Sequence, residues 1–163
     1  MNTLKPVNRL ALSGLLAAVV VILTIVHLPI PVPGMPGAYI NLGDVGVYLS
    51  AFLLGSPWGV LAAAIGSALA DLILGSALYA GPTFVIKGAM AFVAALLMAR
   101  WKKPLPAIIL AGLLMPAGYF IFETFLYGAG AAALSLPFNG IQYAAGILAG
   151  YAVIQLAQRF KKD

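Results

Sequence analysis

The sequence predicts an all-α integral membrane protein, a bundle of six transmembrane helices with both termini in the cytoplasm. Three observations support this fold class: the composition, six apolar segments and the placement of positive charge. Of the 163 residues, 63% are hydrophobic and 8% are charged, and the mean hydropathy is +1.07. A soluble domain of this length would need a larger charged shell to cover its surface. Lipid is therefore the expected solvent.

Proline, glycine and charged residues divide the chain into six apolar segments, which we interpret as one membrane domain, 1–163. Most have roughly the 17 to 25 residues that a helix needs to cross the hydrocarbon core, whereas the second has thirteen and must be tilted or extended upstream. The proline-rich link LPIPVPGMPGAYINLG before it predicts an irregular loop over the outer face. The segments are 9–27, 42–54, 58–74, 82–99, 104–126 and 136–157.

Positive charge gives the predicted orientation. If all six segments cross the membrane, one side receives the basic residues that precede the first segment and follow the fourth and sixth. Lysine and arginine favour cytoplasmic loops, so both termini are expected inside. The pI of 9.6 is therefore an orientation signal, and we do not take it as evidence of nucleic-acid binding, because no basic groove with stacking aromatics is present. The basic residues are Lys5, Arg9, Arg100, Lys102, Lys103, Arg159, Lys161 and Lys162.

A layer of polar side chains is predicted near the outer ends of the segments. Asp71 and Glu123 lie about four residues before the outer ends of the third and fifth segments, and Lys87 lies five residues into the fourth. At ~1.5 Å per residue, all three lie roughly 6 to 8 Å below the outer rim. The outer starts of the second and sixth segments add Asn41, Asp44, Asn139 and Gln142.

This polar layer is the candidate binding site. Ionisable groups in hydrocarbon cost at least ~2.5 to 3.5 kcal/mol each on insertion scales, so they normally pair or mark a substrate route. One alternative is that Lys87 pairs with Asp71 or Glu123 and only locks helices together. Against it, one ammonium cannot satisfy three carboxylates and two amides, and unsatisfied buried acceptors are costly. A polar ligand would satisfy the remaining groups.

Aromatic residues at the same level suggest a flat heteroaromatic ligand. Tyr39 and Phe84 are candidates for stacking on such a ring. The alternative is an interfacial belt of aromatic residues, which needs no ligand. For Tyr79 and Tyr127 we favour the belt.

Small residues four apart let membrane helices approach closely. In the third and sixth segments we interpret them as packing inside the monomer. The first segment has two pairs, Ser13 with Ala17 and Gly14 with Ala18, which could instead contact a partner helix.

Several catalytic motifs are missing from the sequence. It has no GxxxxGK phosphate loop, no nucleophile elbow and no HExxH, and its lone histidine cannot make a metal site alone. We therefore expect neither an enzyme nor a cofactor. A single polar layer also argues against a complete proton-coupled carrier, so a partner would have to power any transport.

Five stretches, RLALSGLLAAVVVIL, INLGDVGVYLSAFLLGSPWGVLAAAIGSALADLILG, GPTFVIKGAMAFVAALL, AGYFIFETFLYG and LPFNGIQYAAG, occur in a fairly specific order and spacing. Together they resemble the S components of energy-coupling factor (ECF) vitamin transporters. The resemblance implies a six-helix bundle in the bacterial plasma membrane that binds a vitamin or precursor in its outer half, under a gating loop, here 28–41. It also implies two kinds of partner, a transmembrane T component and two ATPase subunits, and a toppling motion that releases the cargo inside.

The resemblance also suggests residue roles. Small residues of the first helix would contact the T component, and the ligand would belong to the hydroxymethylpyrimidine, pyridoxine or riboflavin class. We expect Lys87 and Glu123 to face it and Asp44 or Asn41 to anchor the gating loop. Two rival functions remain open, a carrier or channel that works alone and a non-transport membrane scaffold. In the favoured hypothesis, the polar shell around the ligand is completed by Asn139, Gln142 and Asp71.

Overall fold

The computed structural model describes residues 5–30, 32 and 39–160. As the sequence predicts, this part of the chain is almost entirely helical, with one short hairpin between the first two helices. Its elements are α1 (Pro6–Ile25), β1 (His27–Pro29), β2 (Tyr39–Asn41), α2 (Gly43–Leu54), α3 (Trp58–Ile73), α4 (Ala77–Trp101), α5 (Pro104–Gly112), α6 (Leu114–Tyr127) and α7 (Ala129–Phe160).

Four helical stretches are long and apolar enough to cross a membrane: α1, α4, α5 with α6, and α7. By contrast, α2 and α3 are apolar but shorter, with 12 and 16 residues.

The predicted fifth segment is interrupted, since α5 and α6 meet at Leu113. Pro116 has no backbone N–H, so it cannot donate the usual helical hydrogen bond to the carbonyl of Gly112, four residues earlier. Leu113 keeps right-handed helical angles, with φ −60° and ψ −23°. The two helices therefore still form one apolar stretch of 24 residues.

Two helices begin earlier than the sequence predicts. The fourth starts at Ala77 and the sixth predicted segment at Ala129, five and seven residues upstream of the expected positions. The prediction placed both starts at or beside a proline, but both prolines lie inside the helices. The breaks occur instead at Gly75 and Gly128, whose φ values of 77° and 86° suit glycine and stop a right-handed helix.

The expectation of an irregular loop between the first two segments is wrong at its two ends. His27 to Pro29 pair antiparallel with Tyr39 to Asn41, and the rings of His27 and Tyr39 lie 4.9 Å apart. The short second helix is therefore preceded by the strand β2 rather than by further helical turns. Positions 31 and 33–38 of the predicted gating loop lie outside the described residues.

Small residues bring the helices into close contact inside the monomer. A Cβ at Gly66 of α3 would lie 2.6 Å from the carbonyl oxygen of Ala17 in α1. One at Gly146 of α7 would lie 3.0 Å from the Cβ of Asp44 in α2. This agrees with the internal packing expected for the third and sixth segments.

A buried apolar core lies one helical turn beyond the polar layer. Tyr48 follows Asp44 by four residues and Met90 follows Lys87 by three, and both side chains are fully buried. Met115 and Ile108 complete this packing from the α5–α6 stretch. The core forms a closed apolar floor for the polar groups that face the hairpin.

Candidate ligand-binding site

A cavity lies between the hairpin and the helix ends that face it, with an empty volume of about 680 Å³ that includes its open mouth. Its walls come from α1, β2, α3, α4, α6 and α7. The lining residues are Thr24, Ile30, Tyr39, Asn41, Ser67, Asp71, Ser76, Tyr79, Thr83, Lys87, Tyr119, Glu123, Ser135, Asn139 and Gln142.

Lys87 forms a buried ion pair with Asp44. The Nζ of Lys87 lies 2.5 Å from Oδ1 of Asp44, and their side chains are 5% and 0% exposed. Asp44 lies in the first turn of α2, where the helix dipole favours a negative charge. The Lys87 ammonium also lies 5.5 Å from the centre of the Tyr119 ring. The alternative in which Lys87 pairs with Asp71 or Glu123 is therefore wrong, because the carboxylate of Asp44 in α2 binds the ammonium.

Gln142 connects this ion pair to the hairpin. Its amide nitrogen donates to Oδ2 of Asp44 over 3.4 Å, and its amide oxygen accepts the backbone N–H of Asn41 over 3.0 Å. The side chain of Asn41 accepts the N–H of Gly43 at the start of α2, over 2.7 Å. One hydrogen-bonded network thus joins α2, α4, α7 and β2.

Asp71 is the carboxylate with spare hydrogen-bonding capacity. The hydroxyl of Tyr39 donates to its Oδ1 over 2.6 Å. Burial first, and then the Asp71 carboxylate, raise the pKa of the Tyr39 phenol above its ordinary value, so that phenol remains a donor. Oδ2 of Asp71 is buried and has no hydrogen-bond partner within the described residues. A buried acceptor of this kind is costly unless a ligand or water satisfies it.

Glu123 occupies a different polar corner of the cavity. Its Oε2 accepts a short hydrogen bond from the hydroxyl of Ser135, which also accepts the side-chain amide of Asn139 over 3.3 Å. Glu123 is 5% exposed and Ser135 is 4% exposed. Residues of α6 and α7 therefore share this corner.

The structure brings seven of the nine predicted site residues to the cavity: Tyr39, Asn41, Asp71, Lys87, Glu123, Asn139 and Gln142. Asp44 is fully buried behind Lys87. Phe84 is not among the lining residues and is 42% exposed. Conversely, Tyr79, for which the sequence analysis favours the interfacial belt, lines the cavity, with its ring 5.2 Å from that of Phe122.

Sequence reasoning missed several uncharged polar lining residues. Ser135 was placed outside the sixth segment because the predicted helix began too late. Thr83 lies one helical turn before Lys87, and its hydroxyl lies 2.9 Å from that of Tyr119. Its position on the same face as Lys87 was the available signal, but hydroxyl residues are common in membrane helices and carry little specificity alone.

The two small-residue pairs of α1 face different surroundings. Ser13 is buried, with its hydroxyl 3.4 Å from the carbonyl of Trp58, and Ala17 packs on Gly66. Gly14 and Ala18 are exposed, and a Cβ at Gly14 would have no neighbour within 4 Å among the described residues. The first pair therefore packs inside the monomer, and the second lies on its surface.

Comparison with known families decides the class of protein. The family model of the ECF-type riboflavin transporter, S component, matches residues 5–159. The chain belongs to this family. It is thus a substrate-binding S component of an ECF transporter and a multi-pass protein of the bacterial plasma membrane, and its family is one of transporter subunits rather than an enzyme class.

Two relatives resemble this S component in sequence. The thiamine precursor transporter HmpT of Lactococcus lactis subsp. cremoris (strain MG1363) is 30% identical over 129 residues, which is 79% of this chain and 75% of HmpT. An uncharacterized protein of Pyrococcus woesei is 35% identical over 124 residues, 74% of this chain and 82% of that protein.

Two solved structures share the fold. The S component of a bacterial ECF transporter superposes with a TM-score of 0.80 at 21% identity, covering 98% of this chain and all of the other. The S component for biotin from an ECF-type ABC transporter gives a TM-score of 0.74 at 22% identity, covering 100% of this chain and 95% of the other. The helical arrangement described above is therefore an S-component fold.

Proposed function

We propose that this S component captures a water-soluble vitamin or precursor, of the hydroxymethylpyrimidine, pyridoxine or riboflavin class, for ATP-driven uptake by partner subunits. The observation that carries the proposal is the polar cavity, in which Oδ2 of Asp71 is buried without a hydrogen-bond partner in the described ranges. If the polar layer served only to lock the helices together, a buried acceptor without a hydrogen-bond partner would contribute nothing to stability. A bound polar ligand satisfies it.

The names of the relatives support this ligand class. HmpT is described as a thiamine precursor transporter, and the matching family model is described as the S component of a riboflavin transporter. A thiamine precursor and riboflavin are both water-soluble compounds that contain nitrogen heterocycles. The aromatic side chains of Tyr39, Tyr79 and Tyr119 give the cavity surfaces on which such a ring can stack.

Within this function, the chain crosses the membrane six times, with both termini in the cytoplasm and the cavity open to the outside. The short helices α2 and α3 are the second and third crossings, and the α5–α6 stretch is the fifth. The bias of lysine and arginine supports this orientation, because the basic residues then share the inner side. The described residues of the predicted gating loop lie at the outer face, where Ile30, Tyr39 and Asn41 line the cavity.

The network around Gln142 gives the site residues separate roles. Lys87, Glu123 and Asn139 face the ligand, and Asp71 accepts a hydrogen bond from it. Asn41 anchors the hairpin to α7 through the Gln142 side chain, which itself lines the cavity. Closing the loop and forming the polar shell are thereby coupled.

The partners in this function are a transmembrane T component and two ATPase subunits. Gly14 with Ala18 is the pair on α1 that contacts the T component. Their exposure supports this assignment, since the other pair, Ser13 with Ala17, is used inside the monomer. Small side chains let a partner helix approach closely in lipid.

Native mass spectrometry of the protein purified from cells grown in rich medium tests the proposal. After release from detergent, a co-purified vitamin or precursor is expected as an added mass. An empty spectrum, with the unfolding temperature unmoved by a panel of B vitamins and precursors, would contradict ligand capture. Uptake of a vitamin into liposomes that contain this chain alone, without an ATPase, would instead show a carrier that needs no partner.

A further inference from the structure

The cavity contains more negative than positive charge. Among the described lining residues, Lys87 is the one permanent cation, and it is paired with Asp44 at 2.5 Å. Asp71 and Glu123 are left without a cationic partner in that part of the chain. The undescribed loop positions 31 and 33–38 are proline, glycine, methionine and alanine, so they bring no ionisable side chain. The site thus has a surplus of two carboxyl groups.

This surplus determines which ligands are compatible. An anionic ligand would find no unpaired cation among the described lining residues, so nothing there would offset the cost of burying its charge. A ligand with N–H donors and a positive charge offsets both the charge and the unmet hydrogen bonds. Donor-rich cations are therefore favoured, whereas carboxylates and phosphates are excluded.

Asp71 has the geometry to bind a paired donor edge. Its Oδ1 already accepts the Tyr39 hydroxyl, but each carboxylate oxygen has a second acceptor position. Its Oδ2 has no partner among the described residues, although the side chain is only 3% exposed. Two parallel N–H groups on a flat ring match the spacing of the two oxygens of a carboxylate, as those of a guanidinium do.

We infer that the ligand is a small nitrogen heteroaromatic with an amino group next to a protonatable ring nitrogen, and that this edge binds the Asp71 carboxylate. The inference rests on the proposed function and narrows its ligand class. A heterocycle whose polar edge has a single N–H between two carbonyl oxygens, as in the flavin ring, offers the carboxylate no pair of adjacent donors and binds poorly. Asp71, rather than Lys87, is then the residue that sets specificity.

The test compares two compounds of nearly equal size by isothermal titration calorimetry on the full chain in detergent. One is 4-amino-5-hydroxymethyl-2-methylpyrimidine, and the other is its analogue with an oxo group in place of the amino group. We expect the amino compound to bind at least about tenfold more tightly, because the oxo analogue has one ring N–H beside a carbonyl and therefore offers the carboxylate one donor instead of two. Riboflavin and biotin, the latter an anion, should bind more weakly than the amino compound.

Two matched variants locate the specificity. Asp71→Asn keeps the side-chain size and should reduce the preference for the amino compound to about threefold or less, because the amide lacks a second acceptor. Glu123→Gln removes the other carboxylate and should retain most of the preference. Thermal unfolding without ligand checks that both variants fold. If Glu123→Gln abolishes the preference and Asp71→Asn does not, the assignment to Asp71 is overturned.

The outcomes also separate this inference from the proposed function. If the oxo analogue, riboflavin or biotin binds as tightly as the amino compound, the inference fails although the protein still captures a vitamin. If none of these compounds binds and none co-purifies, both the inference and the proposed function fail. The wild-type comparison requires no variant, so it decides the ligand class even if Asp71→Asn does not fold, and Glu123→Gln then still tests whether the preference comes from the other carboxyl group.

Discussion

Replacing Lys87 with methionine should destabilise the protein strongly, because it leaves the Asp44 carboxylate buried without its cation. Asp44 has no exposed surface, and the structure gives it one further donor, the Gln142 amide at 3.4 Å. Breaking a buried ion pair by removing one partner costs about 3 to 5 kcal/mol. We therefore expect the free energy of unfolding of Lys87→Met to fall by about this amount.

The double variant Asp44→Asn with Lys87→Met is the matched control, since it removes both charges and keeps an amide for Gln142. Replacing both members of a buried pair is often nearly neutral, so most of the lost stability should return. The assay is equilibrium unfolding in mixed detergent micelles, analysed as a double-mutant cycle. Equal losses in the single and double variants would refute the reasoning, because the cost would then come from packing at position 87.

The double variant also separates stability from binding. Lys87 lines the cavity, so we expect ligand affinity to fall by about tenfold even when stability is restored. Binding at wild-type affinity would show that Lys87 serves only to join α2 and α4.

Three further predictions concern helix packing, the hairpin and the partner. Gly66→Ala should lower the unfolding temperature because its Cβ meets the Ala17 carbonyl. Gly14→Ala, with open space around it, should leave that temperature unchanged or raise it, because alanine favours a helix over glycine. Equal losses in the two variants would contradict the packing. Tyr39→Phe removes the hydroxyl that donates a hydrogen bond to Asp71. We expect the ligand to dissociate about tenfold faster, as measured by stopped-flow fluorescence. An unchanged dissociation rate would mean that this hydrogen bond does not hold the hairpin closed. Gly14→Leu should reduce co-purification of the T component while leaving ligand affinity unchanged, and normal assembly would rule out this part of α1 as the contact.

The sequence was most informative about the depth of the polar groups. Counting residues from helix ends placed Asp71, Lys87 and Glu123 at one level, and all three line one cavity. A helix rises by a constant amount per residue, so relative depth along one helix is a local property, but the count for Lys87 began at Pro82 and α4 begins five residues earlier, at Ala77. Rotation about the helix axis is not fixed by that count, and Phe84, at a suitable depth, is not among the lining residues and is 42% exposed.

Helix boundaries were predicted less well where proline was present. The predicted fourth and sixth segments begin at or beside a proline, but α4 and α7 continue through Pro82 and Pro137. The helices stop at glycines with positive φ, a backbone property that glycine permits but does not require. The hairpin was missed because its pairing joins residues on both sides of a long proline-rich link.

By itself the sequence determined the solvent of this protein, its helical class, its family and the set of ionisable groups that share one level of the bundle. The solvent, the helical class and the grouping of ionisable residues follow from composition and from spacing along single helices, whereas the family follows from the resemblance of five stretches of sequence to S components. Only the tertiary structure decided that Lys87 pairs with Asp44 and that Asp71 keeps an unpartnered oxygen within the described residues. The partner of a charge depends on how separate helices rotate and approach each other, and those contacts join residues that are far apart in the chain.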